Sequence, residues 1–450
     1  MIPTMLIKAS YVVTMDDEGR VIRNGEILVE GNEIVAVGKS GEISRSHGAE
    51  ERINAEGKIV IPGLIDSHRH LYGILTRGMP VNVKPHNFIS FLEDFWWPYV
   101  ENLLSKDEIY AGAKASALEA LKTGTTTVAD ILEAPYALPG ALDVEAKALR
   151  EVGLRGYLSF EVTERAGDKI RDLGMSENVE FVKKTRGKYD LVKGTLAIHT
   201  TFTCSPECIL KAKELSEKLG AKIQLHLEEG EYEKMYAIVN YRKLPVELYE
   251  ELGFLSPRVI AAQCVTTEPK ELGILSKYGV NIVHVPLSNC EVGGGIAPIP
   301  EALDKGLNIG LGTDGYVTNM FDVMRFAFLV HKGRLRNPQV MPANSVFRMA
   351  TSNAGNILEA KIGSIKPGYL ADLVILDFAA PTQLTVGNII DMLVLFGYLT
   401  KVDKVLVNGE LVIDGGRSTK VDEEKVREES IKASLRLWEK AEEASEKLKR

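Results

Sequence analysis

This 450-residue sequence is short of several things, and each shortage excludes something. Its four cysteines are Cys204, Cys208, Cys264 and Cys290. Cys204 and Cys208 read CSPEC, but no second pair stands at zinc-finger spacing, so a structural zinc knot is not expected. Four buried thiols in a reducing compartment are the plainer reading. No apolar run reaches the roughly 18 residues of a membrane span, and the mean hydropathy is −0.03. The opening MIPTMLIKAS lacks the charged and then apolar segments of a secretion signal, so a cytoplasmic location is expected. Positive charge is in deficit. With 54 Lys and Arg against 62 Asp and Glu, the net charge is −8, which argues against nucleic acid or a membrane as partner. No G-x-G-x-x-G opens a helix, which disfavours a dinucleotide-binding unit. Glutamine occurs only at 224, 263, 339 and 383. With 26% charged residues, that scarcity suits a thermophilic source.

Apolar residues are plentiful: 45% hydrophobic content over this length supports a large core and more than one ordinary domain. ILVEGNEIVAV (27–37) alternates on both sides of Gly31-Asn32, the pattern of a β-hairpin. VDKVLVNGELVID (402–414) repeats it around Asn408-Gly409, and ADLVILD (371–377) reads as another strand. The two ends therefore predict one small β-sandwich domain, built from residues 1–57 and 361–418.

The rhythm between them differs. Short apolar strands such as TTTVADI, GLRGYLSF, KIQLHL, RVIAAQC, NIVHV and NIGLGTD alternate with helical stretches such as ECILKAKELSEKL. Residues 58–360 thus predict an α/β fold of the (β/α)8 TIM-barrel type, with a doubly wound sheet as the competing architecture. The tail, 419–450, predicts an amphipathic helix with Ile431, Leu435, Leu437 and Trp438 near one face. Its polar face mixes both signs, so it is expected to dock on the body or on a neighbouring subunit.

In a barrel, the carboxyl ends of the strands converge on one mouth, where chemistry happens. Five of the eight histidines fall at or beside predicted strands: His68, His70, His199, His226 and His284. In VIPGLIDSHRHLYG, His68 and His70 stand at i and i+2. On an extended chain such residues point the same way, enough to give one cation two ligands. Alone the pair is modest evidence, since loops often carry such histidines. Asp66 is placed to orient a ligand. In LHLEEG, His226 ends a strand with Glu229 three residues on, which suits a ligand and a proton shuttle. NIGLGTDG ends on Asp314. By itself an acid there is a helix cap; with three histidines it reads as a ligand or as the base for a metal-bound water. Three imidazoles and a carboxylate suit Zn²⁺, with Fe²⁺ or Mn²⁺ as alternatives. Such an ion brings the pKa of its water to roughly 7.

These motifs, in this order and inside a barrel with a split β domain, resemble the amidohydrolase superfamily across nearly the whole chain. DFWWPYVENLLS, GTTTVAD, PLSNCEVGGGIAPIPEAL and GTDGYVTNMFDVMRFA are similar to its metal-dependent aminohydrolase branch, which includes triazine hydrolases and cytosine and guanine deaminases. PTQLTVGNIIDMLVLFG and SFEVTERAG look most like the SsnA-type aminohydrolases. The resemblance implies that His68, His70, His226 and Asp314 hold one metal and that Glu229 shuttles protons. It implies that His199 contacts substrate and that His284 faces the pocket as a catalytic group. The carboxylated lysine of the two-metal branch has no counterpart, since Lys193 precedes its strand and His199 takes the strand end. One departure stands out. Where the branch has a histidine that polarises the attacking water or the substrate, AAQCV carries Gln263, expected as a substrate contact that orients by hydrogen bonding but cannot titrate.

Trp97, with Trp96, is placed to stack on a flat heterocycle, burial at the rim being the equal alternative. Arg165 offers a guanidinium to an anionic substrate group or to a structural ion pair. The leading reading is a hydrolytic deaminase that sets metal-bound hydroxide on a nitrogen heterocycle or guanidine-type small molecule. Hydrolysis of an amide, cyclic amide or carbon–chlorine bond at the same centre is the second. A metal-retaining, non-catalytic binding protein, motivated by Gln263, is the third. The resemblance also implies a homodimer or homotetramer.

Overall fold

Strand-forming residues are concentrated where the hairpins were expected. In the computed structural model, which describes residues 3–44, 48–187 and 191–448, β1 (Thr4–Val13), β2 (Val21–Glu30), β3 (Glu33–Lys39) and β4 (Glu51–Pro62) open the chain. The barrel strands follow: β5 (Leu64–Arg69), β6 (Thr125–Leu132), β7 (Arg155–Val162), β8 (Val192–Gly194), β9 (Leu196–Ile198), β10 (Ile223–Leu227), β11 (Val259–Gln263), β12 (Asn281–His284) and β13 (Ile309–Leu311). Then come β14 (Leu373–Asp377), β15 (Lys401–Val407), β16 (Glu410–Asp414) and β17 (Arg417–Ser418).

Strands from both termini form one mixed sheet in the order β17-β16-β15-β14-β4-β1-β2-β3. β4 carries Gly57 at φ 79° in a bulge, where the β1–β4 register shifts between Ala9 and Tyr11. The sheet therefore continues past residue 57 to Pro62, which pairs with Leu373.

The second sheet is parallel throughout, in the order β13-β12-β11-β10-β9-β7-β6-β5, with β8 pairing β7 beside β9. It closes where Asp314 N donates to His68 O and His70 N donates to Asp314 O. Parallel strands are covered on both faces, so they read as continuous apolar runs. Their alternation still matters. Ala129, Tyr157, Ile260, Ala262 and Val283 pack inside the barrel, while Leu158, Phe160, Ala261 and Ile282 join the larger core under the helices.

Local chemistry explains CSPEC. Ser205 caps the helix Pro206–Leu219, its side chain accepting from Cys208 N, with Pro206 at the first helical position. Cys204 and Cys208 thus flank a helix start. Three of the four thiols are buried, but Cys290 is exposed. The tail forms the helix Glu423–Leu448. It docks on the body: Trp438 Nε1 donates to Leu75 O at 2.8 Å, and Arg436 and Lys440 bind Glu108. Val426, Ala433, Leu437 and Ala441 are its buried residues, whereas Ile431 and Leu435 face outward. No helix among the described residues is long and apolar enough to cross a membrane.

Candidate metal centre

Four side chains meet at the mouth. One ligand atom from each of His68, His70, His226 and Asp314 lies within 4.8 Å of the others, and all four residues are buried. Asp314 Oδ1 stands 3.2 Å from His70 Nε2 and 3.7 Å from His68 Nε2. His70 Nε2 is 3.3 Å from His226 Nε2.

Each is positioned by its element. His70 Nδ1 lies 2.7 Å from Ile131 O on β6, which fixes the proton on Nδ1 and leaves Nε2 bare for a cation. Asp66 receives Thr313 N at 3.0 Å and Thr313 Oγ1 at 2.5 Å. It therefore orients Asp314 through the preceding residue rather than by touching a ligand. Asp314 itself sits at φ 63°, a cost an ordinary residue bears only when its surroundings impose it. Gly312 is required here: a Cβ would lie 2.7 Å from His68 O.

The donor set fits a divalent ion. His68 Nε2 is buried with no hydrogen-bond partner, and an orphaned buried nitrogen is costly unless something occupies it. Burial holds the His68 imidazole down to about 4 and that of His226 down to about 3, so both are neutral and ligand-ready. Burial also works downward on His70, but the Asp314 carboxylate outweighs it and lifts that imidazole to about 10. A cation there takes the place of the proton. Asp314 is opposed by burial, yet His68 and His70 hold its carboxyl well below the usual range.

A cavity opens over this centre. His70, His226 and Asp314 line it, with Glu229, His199 and Trp97. His199 is fixed by Thr203 Oγ1 at 2.7 Å from Nδ1. Burial first, and then the charge of Asp314, push the Glu229 carboxyl well above its ordinary range.

Three residues lie elsewhere than expected. His284 shares the outward side of β12 with Ile282, while Val283 and Val285 point in. Its Nε2 meets Nε2 of His331 at 2.9 Å on the helix Met320–Leu335, and it does not line the cavity. Strand alternation thus removes it from the chemistry. Gln263 is fully buried behind Asp314, and its Nε2 donates to Asp314 Oδ2 at 3.0 Å. Its φ of 79° turns the side chain out of the β11 alternation, so it supports Asp314 and does not line the cavity. Arg165 is also withheld. Its guanidinium is spent on Glu133, on Asn102 at 2.7 Å and on Glu101 at 2.9 Å, and it lies over the Trp97 ring.

Three lining acids are not singled out by the sequence, Glu101, Glu161 and Glu291. Glu161 shares the inward parity of Tyr157 and ends β7, so strand position was the available signal. Burial, with Glu101 adding to it, raises the Glu161 carboxyl to about 8 against the pull of His70.

A closed parallel barrel with three imidazoles and an aspartate at its mouth defines a metal-dependent hydrolase. The amidohydrolase family matches residues 59–412, and the chain belongs to it, as a hydrolase of carbon–nitrogen bonds. It is 35% identical over 415 residues to a 5-methylthioadenosine/S-adenosylhomocysteine deaminase of Thermococcus sibiricus, covering 91% of this chain and 94% of that one. It is 33% identical over 442 residues to a 5'-deoxyadenosine deaminase of Methanosarcina acetivorans, covering 97% and 99%. Among solved structures, an atrazine chlorohydrolase of Arthrobacter aurescens complexed with zinc superposes with a TM-score of 0.83 at 26% identity, over 96% of this chain and 100% of that one.

Proposed function

We propose that the protein is a hydrolytic deaminase of an amino-substituted nitrogen heterocycle or guanidine-type small molecule, working with one zinc ion. The observation that carries this is the convergence of His68, His70, His226 and Asp314 within 4.8 Å under a cavity that also presents Glu229. The deaminase names of relatives such as those of T. sibiricus and M. acetivorans support the reaction class. The zinc in similar structures supports the metal.

His68, His70 and His226 would hold the cation through ring nitrogens, and Asp314 through Oδ1. The ion, when bound, supplies Lewis acidity that makes water a nucleophile near neutral pH. Asp314 keeps its carboxylate charge and accepts a proton from the attacking water, with Oδ2 steadied by Gln263. Glu229, held protonated by burial and by Asp314, donates to the departing nitrogen. His199 and Trp97 border the space for the heterocycle.

The test is metal analysis of the purified protein with ammonia release from aminopurines, aminopyrimidines, triazines and guanidines. Stoichiometric zinc with ammonia from at least one class is the expected result. A protein without stoichiometric zinc, iron or manganese, or one that turns over only amides or chlorinated rings, overturns the reading.

A further inference from the structure

Among the described residues, five carboxyl groups line the cavity, those of Glu101, Glu161, Glu229, Glu291 and Asp314, and neither lysine nor arginine does. Four of them have a use or a partner. Asp314 faces the imidazoles. Glu229 carries the proton. Glu101 accepts from Arg165 at 2.9 Å and from Tyr72 Oη at 2.9 Å. Glu291 accepts from Tyr316 Oη.

Glu161 is different. Its side chain is 1% exposed, and its Oε1 has no aligned hydrogen bond. That oxygen lies 3.1 Å from His226 Nδ1 and 3.7 Å from His199 Nε2. With His226 Nε2 given to the first centre, Nδ1 keeps its proton and faces Oε1, so Oε2, for which no hydrogen bond is seen among the described residues, is the oxygen left for a cation or a set of N–H donors. A second metal ion held by Glu161, His199 and His226 would need both nitrogens of His226 stripped of protons, since Nε2 already serves the first centre. The partner is better sought in the ligand. Much of the remaining wall is flat and aromatic: Phe88, Phe91, Trp96 and Trp97. Such faces attract cations.

We propose that the substrate carries its reacting carbon in a cationic, N–H-rich planar group, an amidinium, guanidinium or protonated aminoheterocycle, and that Glu161 accepts its N–H donors. This rests on the deaminase reading and narrows its substrate class. An anionic group near the reacting carbon would find no lysine or arginine in the lining to receive it. The chemistry balances: water oxygen bonds to the amidinium carbon, one carbon–nitrogen bond breaks, and the nitrogen departs with the proton. Amidinium plus water becomes carboxamide plus ammonium, with charge conserved.

Three flat probes of different charge test this on the zinc-loaded full chain by titration calorimetry: benzamidine, benzamide and benzenesulfonate. Benzamidine is expected to bind about tenfold or more tightly than benzamide, as a charge-assisted pair should, and benzenesulfonate not measurably. Glu161→Gln should bring the benzamidine-to-benzamide ratio close to one while zinc content is kept; a role confined to orienting His226 would not move that ratio. Should the variant lose zinc or fail to fold, the wild-type ratio decides alone. Equal binding of benzamide, tight binding of benzenesulfonate, or a second equivalent of zinc overturns the inference. So does faster ammonia release from neutral nucleosides than from cationic amidines, which would leave the deaminase reading standing. Absence of ammonia from every compound would sink that reading instead, while the binding ratio still judges the charge preference.

Discussion

Two pairs of imidazoles meet nitrogen to nitrogen in this barrel. His70 and His226 do so at the mouth, 3.3 Å apart; His284 and His331 do so behind β12, 2.9 Å apart. The first pair has a third imidazole, His68, and the Asp314 carboxylate within ligand distance. The second has neither: among the described residues, no carboxylate or thiol joins His284 and His331 to make a metal-binding group. Burial, with the positive charge of Arg334 adding to it, holds both rings in the neutral state. Identical side chains at similar separation thus differ in what surrounds them. Inward parity at a strand end delivers an imidazole to converging acids, and outward parity delivers it to the helix layer.

The sharpest break of this comparison is to remove one histidine from each pair. His226→Ala should lose zinc on dialysis and lower kcat/KM by about 10³-fold or more, the scale of a metal's stabilisation of the transition state. His284→Ala should keep its zinc and its activity within a few-fold, while costing about 1–3 kcal/mol of stability by leaving His331 unpaired. Metal analysis and urea unfolding read both. If His284→Ala loses zinc, the separation of the two clusters is mistaken. Within the mouth, Glu229→Gln should retain zinc and lower kcat by about 10²–10⁴-fold, as for a lost general acid. Steady-state ammonia release on the zinc-loaded variant measures it.

Much of this arrangement was legible in the sequence because it rests on local periodicity. The Asn-Gly and Gly-Asn hairpins, the alternation of apolar strands with helices, and the H-x-H, H-x-x-E and T-D motifs at strand ends all have local causes. What was not legible depends on which way a strand faces. His284 follows two residues that read as one apolar run, NIVH, and only packing shows that Val283 points in. Gln263 looked like a substrate contact by position, but a left-handed φ redirects it to Asp314. Arg165 looked available because its three partners, Glu101, Asn102 and Glu133, are 32 to 64 residues away. The tail helix buries a stripe through Val426, Ala433, Leu437 and Ala441, where mostly small residues let it approach the body closely, while Ile431 and Leu435 of the expected face point outward.

Gln263 offers a finer test of the mouth. Its Nε2 holds Asp314 Oδ2 at 3.0 Å, so it is an outer support of the centre. Supports of this kind are worth about 10–100-fold in metal affinity or activity. Gln263→Ala should therefore weaken zinc by that order in competition with a chelator, and lower kcat with little change in KM. Gln263→Glu keeps the reach but brings a carboxylate against a carboxylate, and should weaken zinc at least as much. Unchanged zinc affinity in both variants would show that the backbone alone fixes Asp314.

The smallest effect, and one that leaves catalysis alone, concerns acid. In the His284–His331 pair one Nε2 donates and the other accepts, so both rings are neutral; neither Nδ1 has a partner. Burial, helped by Arg334, depresses the His331 imidazole to about 4, and burial lowers His284 well below its ordinary value. An unfolded histidine titrates near 6.5. Between pH 6.5 and about 4 the unfolded chain therefore binds more protons than the native one, and stability falls as the pH is lowered through that window. Above it the pair contributes no slope. His331→Gln keeps a donor for His284 Nε2 and removes one titrating ring. Its stability, followed by urea unfolding from pH 7 to 4 with zinc saturating, should decline less steeply than that of the wild type, with both alike near pH 7 apart from a constant offset. Parallel acid limbs would mean that His331 is already solvated and protonated in the native state, and the neutral pair behind β12 would have to be abandoned.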